Sequence, residues 1–273
     1  MQKVVLVTGA SAGIGKATAL ELIRAGHTVY GAARRLGRMG DIREAGGHAL
    51  AMDARRPEDL ERAVGTVIGE QGRIDVLINN AGTVLHGAAE DVPLDQARDQ
   101  FEVNVFAPAR LVQLVLPHLR EQGSGTIVNV SSVGGEIALP LGCWYYATKH
   151  ALEAYSDSLR MEVEPFGIDV VIIQPGIIRT GFEDHTARDL RTISGTTAYG
   201  EMAEAMARRA EAQLGDDSQG SDPGVVAAVI RRAVEAGKPE TRYVVGWMAD
   251  QLLELNRTLP DREFDRLVTN AAK

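Results

Sequence analysis

"VVLVTGASAGIG", residues 4 to 15, runs from an apolar β-branched stretch through three glycines, Gly9, Gly13 and Gly15, into an amphipathic run, Ile14 to Ala25, that Gly26 stops. A strand, a tight turn and a helix in that order let backbone N–H groups and the positive end of the helix face an anion. A side chain at those glycines would stand between the backbone and a bound pyrophosphate. The spacing departs from the usual G-x-G-x-x-G dinucleotide fingerprint, so a purely structural turn stays open on the glycines alone.

Outward from this stretch, short apolar runs alternate with amphipathic ones, the signature of a parallel sheet covered by helices. Strands are expected at residues 4–7, 28–32, 48–52, 76–79, 126–131, 169–174 and 242–245. Helices are expected from Pro57, from about Gln96 to Leu119, from Tyr145 to Val163 and from Pro223, with a helical tail. Between Ile177 and Ser221 the alternation breaks into a charged, Gly- and Thr-rich segment with one expected helix near Glu201 to Gln213, which reads as a substrate-lid insert. The expected fold is one α/β domain over residues 1–273, a Rossmann-type doubly wound parallel sheet of order 3-2-1-4-5-6-7 with helices on both faces. Its ligands belong beyond the carboxyl ends of the strands.

Composition narrows the function classes. The 273 residues are 45% hydrophobic, enough for a sizeable core, and the single cysteine, Cys143, excludes an intrachain disulfide. No uncharged apolar run approaches the ~18 residues of a membrane span, and the first strand leaves no room for a signal peptide, so a cytoplasmic location is expected. With 29 Lys and Arg against 37 Asp and Glu, the net charge of −8 disfavours nucleic acid and requires any phosphate ligand to be held by a local basic cluster. That cluster follows the second strand: "YGAARR" places Ala33 where NAD-binding sites carry an acid for the ribose hydroxyls, then Arg34 and Arg35, with Arg38 close by. Forked guanidinium donors suit a 2′-phosphate, so the expected cofactor is NADP(H), against the plainer reading of a solvated basic turn.

With "TGASAGIG", "NNAG" at residues 79–82, "VNV" around Asn104, "VSS" at residues 130–132, "YYATK" at residues 145–149 and "PGIIRT" after the sixth strand, the chain resembles the short-chain dehydrogenase/reductase family along nearly its whole length. The longer stretches around these motifs are most similar to the branch of 17β-hydroxysteroid and retinol dehydrogenases and bacterial carbonyl reductases. The resemblance implies an enzyme that transfers hydride between NADP(H) and a ketone, aldehyde or alcohol, with bulky apolar substrates. A nonenzymatic NADP(H)-sensing protein is the alternative. Cofactor contacts implied are Gly9, Ser11, Gly13, Ile14, Gly15, Arg34, Arg35, Asp53, Ala54, Asn80, Ala81, Gly82, Pro175, Gly176, Ile178 and Thr180, besides Tyr145 and Lys149; Asp53 is nearly as well explained as a turn aspartate.

Tyr145 and Lys149 stand four apart and share a helix face, where the ammonium favours the phenolate. Bringing a Tyr pKa from about 10 to neutrality takes roughly 4 kcal/mol of differential stabilisation. Such a tyrosine exchanges a proton with a carbonyl or alcohol oxygen. Ser132 matches the family's serine that hydrogen-bonds the substrate oxygen, and its spacing favours Tyr145 over the competing Tyr146. Asn104 is the fourth catalytic member by resemblance. Pro108, four residues on, cannot donate to the Asn104 carbonyl, which frees that carbonyl for a relay water; a mere kink with Asn104 solvated is the alternative. The expected pocket wall is Val133, Ile137, Leu139, Trp144, Ile177 and Phe182, with Trp144 equally suited to core or interface. His86, His150 and His185 have no metal-ligand spacing, and no metal site is expected. A homodimer or homotetramer is implied through the Gln96–Leu119 helix and the helix before the sixth strand.

Overall fold

The computed structural model describes residues 1–180, 182–212 and 220–271. Its centre is a parallel sheet in the order β3-β2-β1-β4-β5-β6-β7, formed by β1 (Val4–Thr8), β2 (Thr28–Ala33), β3 (His48–Ala51), β4 (Val76–Asn79), β5 (Gly125–Val130), β6 (Ile168–Pro175) and β7 (Arg242–Val245). This is the expected order. Every residue of β1 and β4 is buried, which is why these strands read as unbroken apolar runs rather than as alternating ones.

Two cores flank the sheet. On one face α3 (Pro57–Gln71), α5 (Ala107–Gln122) and α6 (Cys143–Val163) contribute Val64, Leu111, Val115 and Leu159 against Leu6, Leu77 and Ile127. On the other, α1 (Gly13–Arg24), α2 (Gly40–Glu44) and α9 (Pro223–Glu235) contribute Leu22, Ile42 and Ile230 against Val5, Val7 and Ile78. Because β1 pairs with both β2 and β4, the winding reverses there, and the loops after β1 and β4 diverge around a crevice.

Two features depart from the expectation. The single helix expected over residues 96–119 is α4 (Leu94–Phe101), a π turn at Glu102–Phe106 and then α5. The insert holds two helices, α7 (Phe182–Ser194) and α8 (Gly200–Ala212), which pack on each other. The charged run "FEDHTARDLRTIS" hides α7, because among its described side chains the core-forming ones, Ala187 and Leu190, are few. Together with Ala203 and Ala207 they form a small core of their own over Ala88 and Leu141. The tail forms α10 (Ala249–Thr258) and α11 (Asp261–Ala271), which pack Leu253 and Phe264 against Val133 and Ile137.

Gly15 is the tightest point of the crevice: a Cβ there would lie 2.3 Å from Asn80 Nδ2 and 2.6 Å from the Gly9 carbonyl oxygen. Gly15→Ala is therefore expected to lose about 1–3 kcal/mol, seen as a lower urea midpoint at unchanged slope. Gly65, exposed in α3 with nothing within 4 Å of an added Cβ, makes the control: Gly65→Ala should gain about 0.5–1 kcal/mol in the same measurement.

Candidate active site

Thr8, the last residue of β1, ties the two loops of the crevice together. Its hydroxyl accepts from the Asn80 and Ala81 N–H groups at 3.0 and 2.9 Å and donates to the Ile78 carbonyl at 3.3 Å. Asn80 returns a bond from Nδ2 to the Thr8 carbonyl at 2.9 Å. Gly9 and Gly13 have φ of 71° and 53°, in the left-handed region that favours glycine. A Cβ on Gly9 would strike Ala81 Cα at 2.9 Å, and one on Gly13 would lie 3.2 Å from Thr180 Cβ. The loop after β1, Asn80 to Gly82 and Thr180 are thus brought to one place, with the first turn of α1 open between them. Pro175 ends β6, and Gly176 lets the Trp247 carbonyl approach to 2.3 Å of where a Cβ would stand. Ile14 is partly buried against the core beside α1, while the Ile178 side chain is 6% exposed within that core, leaving only its main chain for a ligand.

Beyond β2, Ala33 is buried and Arg34, Arg35 and Arg38 are exposed. Arg35 Nη2 donates to Ser11 Oγ at 3.4 Å, so the guanidinium reaches the glycine loop. An open groove of about 450 Å³ lies alongside, lined by Ser11, Ala12, Lys16, Gly37, Arg38, Gly40 and Asp41. Lys16 pairs with Asp41 across it at 2.8 Å. Neither residue stands out in the sequence, because α2 is too short to announce where it packs. Asp53 Oδ1 accepts from the Arg55 N–H at 3.1 Å, the turn role, and Ala54 packs into the core. The residues fit a dinucleotide: the cradle is one that Cβ atoms would fill, its donors are main-chain, and guanidinium groups border it.

The residues expected to carry proton transfer meet past the carboxyl end of β5. Ser132 caps the turn at Val133–Gly135 by accepting from the Gly134 N–H at 3.0 Å and donates to the Pro175 carbonyl at 3.5 Å, and its hydroxyl lies close enough to Tyr145 to favour the phenolate. Lys149, one turn along α6, lies with Nζ 5.9 Å from the centroid of the Tyr145 ring and donates to the Val130 carbonyl at 3.0 Å. Tyr146 has no such partner, and burial raises its pKa strongly. Of the two tyrosines, Tyr145 is thus the one placed beside Ser132 and Lys149.

Electrostatics at the pair differ from the expectation that Lys149 holds the phenol down. Burial pushes the Tyr145 pKa up, and the nearby Ser132 hydroxyl offsets this only in part. Burial also lowers Lys149 to about 8, against the charge of Glu153, which pulls it back up. Glu153 is 6% exposed and sits one turn beyond Lys149, held by Arg242 Nε and Nη2 at 3.1 and 3.0 Å and by Gln174 Nε2 at 3.1 Å. A carboxylate so fixed is the group that keeps a buried ammonium charged. It escaped the sequence reading because its bond to Arg242 spans 89 positions.

Asn104 is not a solvated residue at a kink. It is 2% exposed, with Oδ1 accepting from the Thr83 N–H at 2.8 Å and Nδ2 donating to the Thr83 carbonyl at 2.9 Å and to Thr148 Oγ1 at 3.0 Å. Thr148 in turn donates to the Tyr145 carbonyl at 2.7 Å. Asn104 thereby links the chain after β4 to the helix turn that carries Tyr145. It lies within the π turn, where the Ala107 N–H reaches the Glu102 carbonyl, five residues back.

The apolar wall is only partly as expected. Val133 and Ile137 are buried under α10 and α11 and form a floor rather than a lining. Leu139, Trp144 and Ile177 are partly exposed, and Trp144 packs edge-on against Phe101 of α4 at 6.5 Å. The Phe182 side chain lies outside the described residues.

A family profile described as short chain dehydrogenase matches residues 3–191. The chain is 36% identical over 262 residues to a 3-ketodihydrosphingosine reductase of Bacteroides thetaiotaomicron, covering 95% of this chain and 94% of that one. Among solved structures, a short-chain dehydrogenase from Streptomyces avermitilis superposes with a TM-score of 0.78 at 39% identity, covering 93% of this chain and 91% of the other. A metagenomic short-chain oxidoreductase in complex with NADP superposes with a TM-score of 0.69 at 25% identity, covering 89% and 96%. With a matched profile over most of its length, a relative of this identity and the seven-stranded sheet in the expected order, the chain belongs to the short-chain dehydrogenase family of oxidoreductases.

Proposed function

We propose that the protein is an NADP(H)-dependent reductase that interconverts a bulky, largely apolar ketone or aldehyde and its alcohol. The observation that carries this reading is the Tyr145 phenol beside the Ser132 hydroxyl and flanked by the Lys149 ammonium, next to a glycine cradle that the Arg35 guanidinium borders. The nicotinamide supplies the hydride. Ser132 orients the carbonyl oxygen toward Tyr145, which donates its proton to that oxygen in reduction and recovers one from the alcohol in the reverse direction. Lys149 stabilises the phenolate left behind. The Asn104 main-chain carbonyl, to which Pro108 cannot donate, is the group we assign to a relay water between Lys149 and solvent.

Arg34 and Arg35 in place of an acid after β2 support NADP(H) over NAD(H). A relative named as a 3-ketodihydrosphingosine reductase supports a ketone as substrate, and the partly exposed Leu139, Trp144 and Ile177 support an apolar one. Phe106, 56% exposed at the end of the π turn, and Met161, 64% exposed on α6, suit a homodimer or homotetramer built through these helices. A single cysteine fits the cytoplasm.

Tyr145→Phe should lower kcat about 10²–10⁴-fold on a panel of ketones followed by loss of NADPH absorbance, at unchanged NADPH affinity. Full activity in this variant would end the mechanism, and NADPH binding without turnover in the unmodified protein would leave a nucleotide sensor. Replacing Arg34 and Arg35 together by Ala should raise the KM for NADPH roughly 10- to 100-fold while leaving NADH kinetics unchanged.

The pH dependence follows from Lys149. Its ammonium is present below about 8, so kcat/KM should fall as pH rises through that value. Glu153→Gln removes the charge that raises Lys149 and should move this alkaline limb to lower pH, whereas a purely structural role would lower the profile without shifting it.

A further inference from the structure

His86 is a polar group at the site that the proton-transfer machinery does not use. Its imidazole faces the Tyr145 ring, with centroids 6.2 Å apart and planes tilted by 30°. Nδ1 is buried and has no hydrogen-bond partner among the described residues. Burial lowers its pKa to about 4, so the ring is neutral at physiological pH and offers one N–H donor and one acceptor nitrogen.

The position is fixed from both sides. Three residues before His86, Thr83 is clamped by two hydrogen bonds to Asn104. Just after it, the Gly87 N–H donates to the Leu141 carbonyl at 2.8 Å, and the Ala88 N–H donates to Ser194 Oγ of α7 at 2.9 Å. These bonds hold the main chain on both sides of the residue whose ring lies against Tyr145. An unsatisfied buried polar group costs stability, and an imidazole lying against the Tyr145 ring with a nitrogen left unpaired is a place for a ligand's own polar group.

We propose that His86 is a specificity residue that hydrogen-bonds an uncharged hydroxyl on the carbon next to the reacting carbonyl, making hydroxyketones, and vicinal diols in the reverse direction, the preferred substrates. The proposal rests on the reductase reading above. Tyr145 and Ser132 take the carbonyl oxygen, and His86, facing the same phenol, takes the neighbouring oxygen. Its neutrality selects a hydroxyl over a carboxylate, which would seek a cation. A plain ketone leaves the imidazole unpaired and is discriminated against for that reason.

The test compares phenacyl alcohol, which carries a hydroxyl on the carbon beside its carbonyl, with acetophenone, which lacks it. The expected result is a kcat/KM roughly tenfold or more higher for phenacyl alcohol. His86→Leu should abolish that preference by loss on phenacyl alcohol alone, and His86→Gln should retain part of it. Equal loss on both ketones, no loss on either, or a change only in NADPH affinity would overturn the proposal. Absence of turnover on both ketones by the unmodified protein would count against the reductase reading instead. In that event histidine nitrogen shifts decide: with NADP⁺ bound, phenacyl alcohol but not acetophenone should move the His86 resonance, identified by its loss in His86→Leu, and an unmoved resonance overturns the assignment.

Discussion

Two missing side chains set the geometry on which everything else depends. At Gly9 and Gly15 the chain passes so close to Asn80 and Ala81 that a Cβ would fall under 3.0 Å from their atoms. Parallel strands bring the ends of β1 and β4 side by side, but the loops beyond them would spread apart if side chains filled the gap. Two bonds between Thr8 and Asn80 and a third from the Ala81 N–H to Thr8 close it instead, satisfying main-chain groups that the sheet no longer pairs. The consequence is a rigid corner whose open N–H groups face outward at the start of α1, at the distance from β5 and α6 that the sheet order dictates. Ser132, Tyr145 and Lys149 stand instead at the end of β5 and on α6, and the sheet between carries the alignment.

Burial makes the Tyr145–Lys149 pair both useful and costly. A buried ammonium is destabilised and a buried phenol is held neutral, so desolvation alone would weaken the pair's capacity for proton exchange. The protein answers with charge one turn further along α6. Glu153 faces Lys149 and is itself held by Arg242 and Gln174, so its charge is not left unpaired in the interior. This places the electrostatic support of the site on β6 and β7, strands that contribute no proton-transfer group.

The architecture was legible in the sequence because strands buried on both faces are continuous apolar runs, and because Gly, Asn, Ser, Tyr and Lys stand at fixed places relative to strand ends. That Tyr145, Lys149 and Ser132 come together was legible for the same reason: helical spacing and a strand end are local properties. What stayed hidden depends on contacts distant in sequence. The sign of the shift at Tyr145 reflects how deeply it is buried, and no spacing of four residues reports that. Glu153 reads as an ordinary helix carboxylate until β7 brings Arg242 to it. Val133 and Ile137 look like pocket wall until α10 and α11 cover them, and His86 reads as an ordinary loop histidine until the fold brings its ring to Tyr145.

The π turn shows how a local cause and a distant one combine. Pro108 removes a donor from the helix, and its ring crowds the carbonyl four residues earlier, that of Asn104. A regular α-helix would have to kink there. The chain instead takes up an extra residue just before the proline, so that the Ala107 N–H reaches Glu102 and α5 begins cleanly from Ala107. Inserting one residue rotates the preceding turn about the helix axis relative to α5. Asn104 lies in that turn, buried, with its side chain committed to Thr83 and Thr148. The widening that accommodates Pro108 and the bonds that hold Asn104 therefore stabilise each other. A proline that reads in the sequence as a helix fault is thus part of what positions the turn of α6 bearing Tyr145.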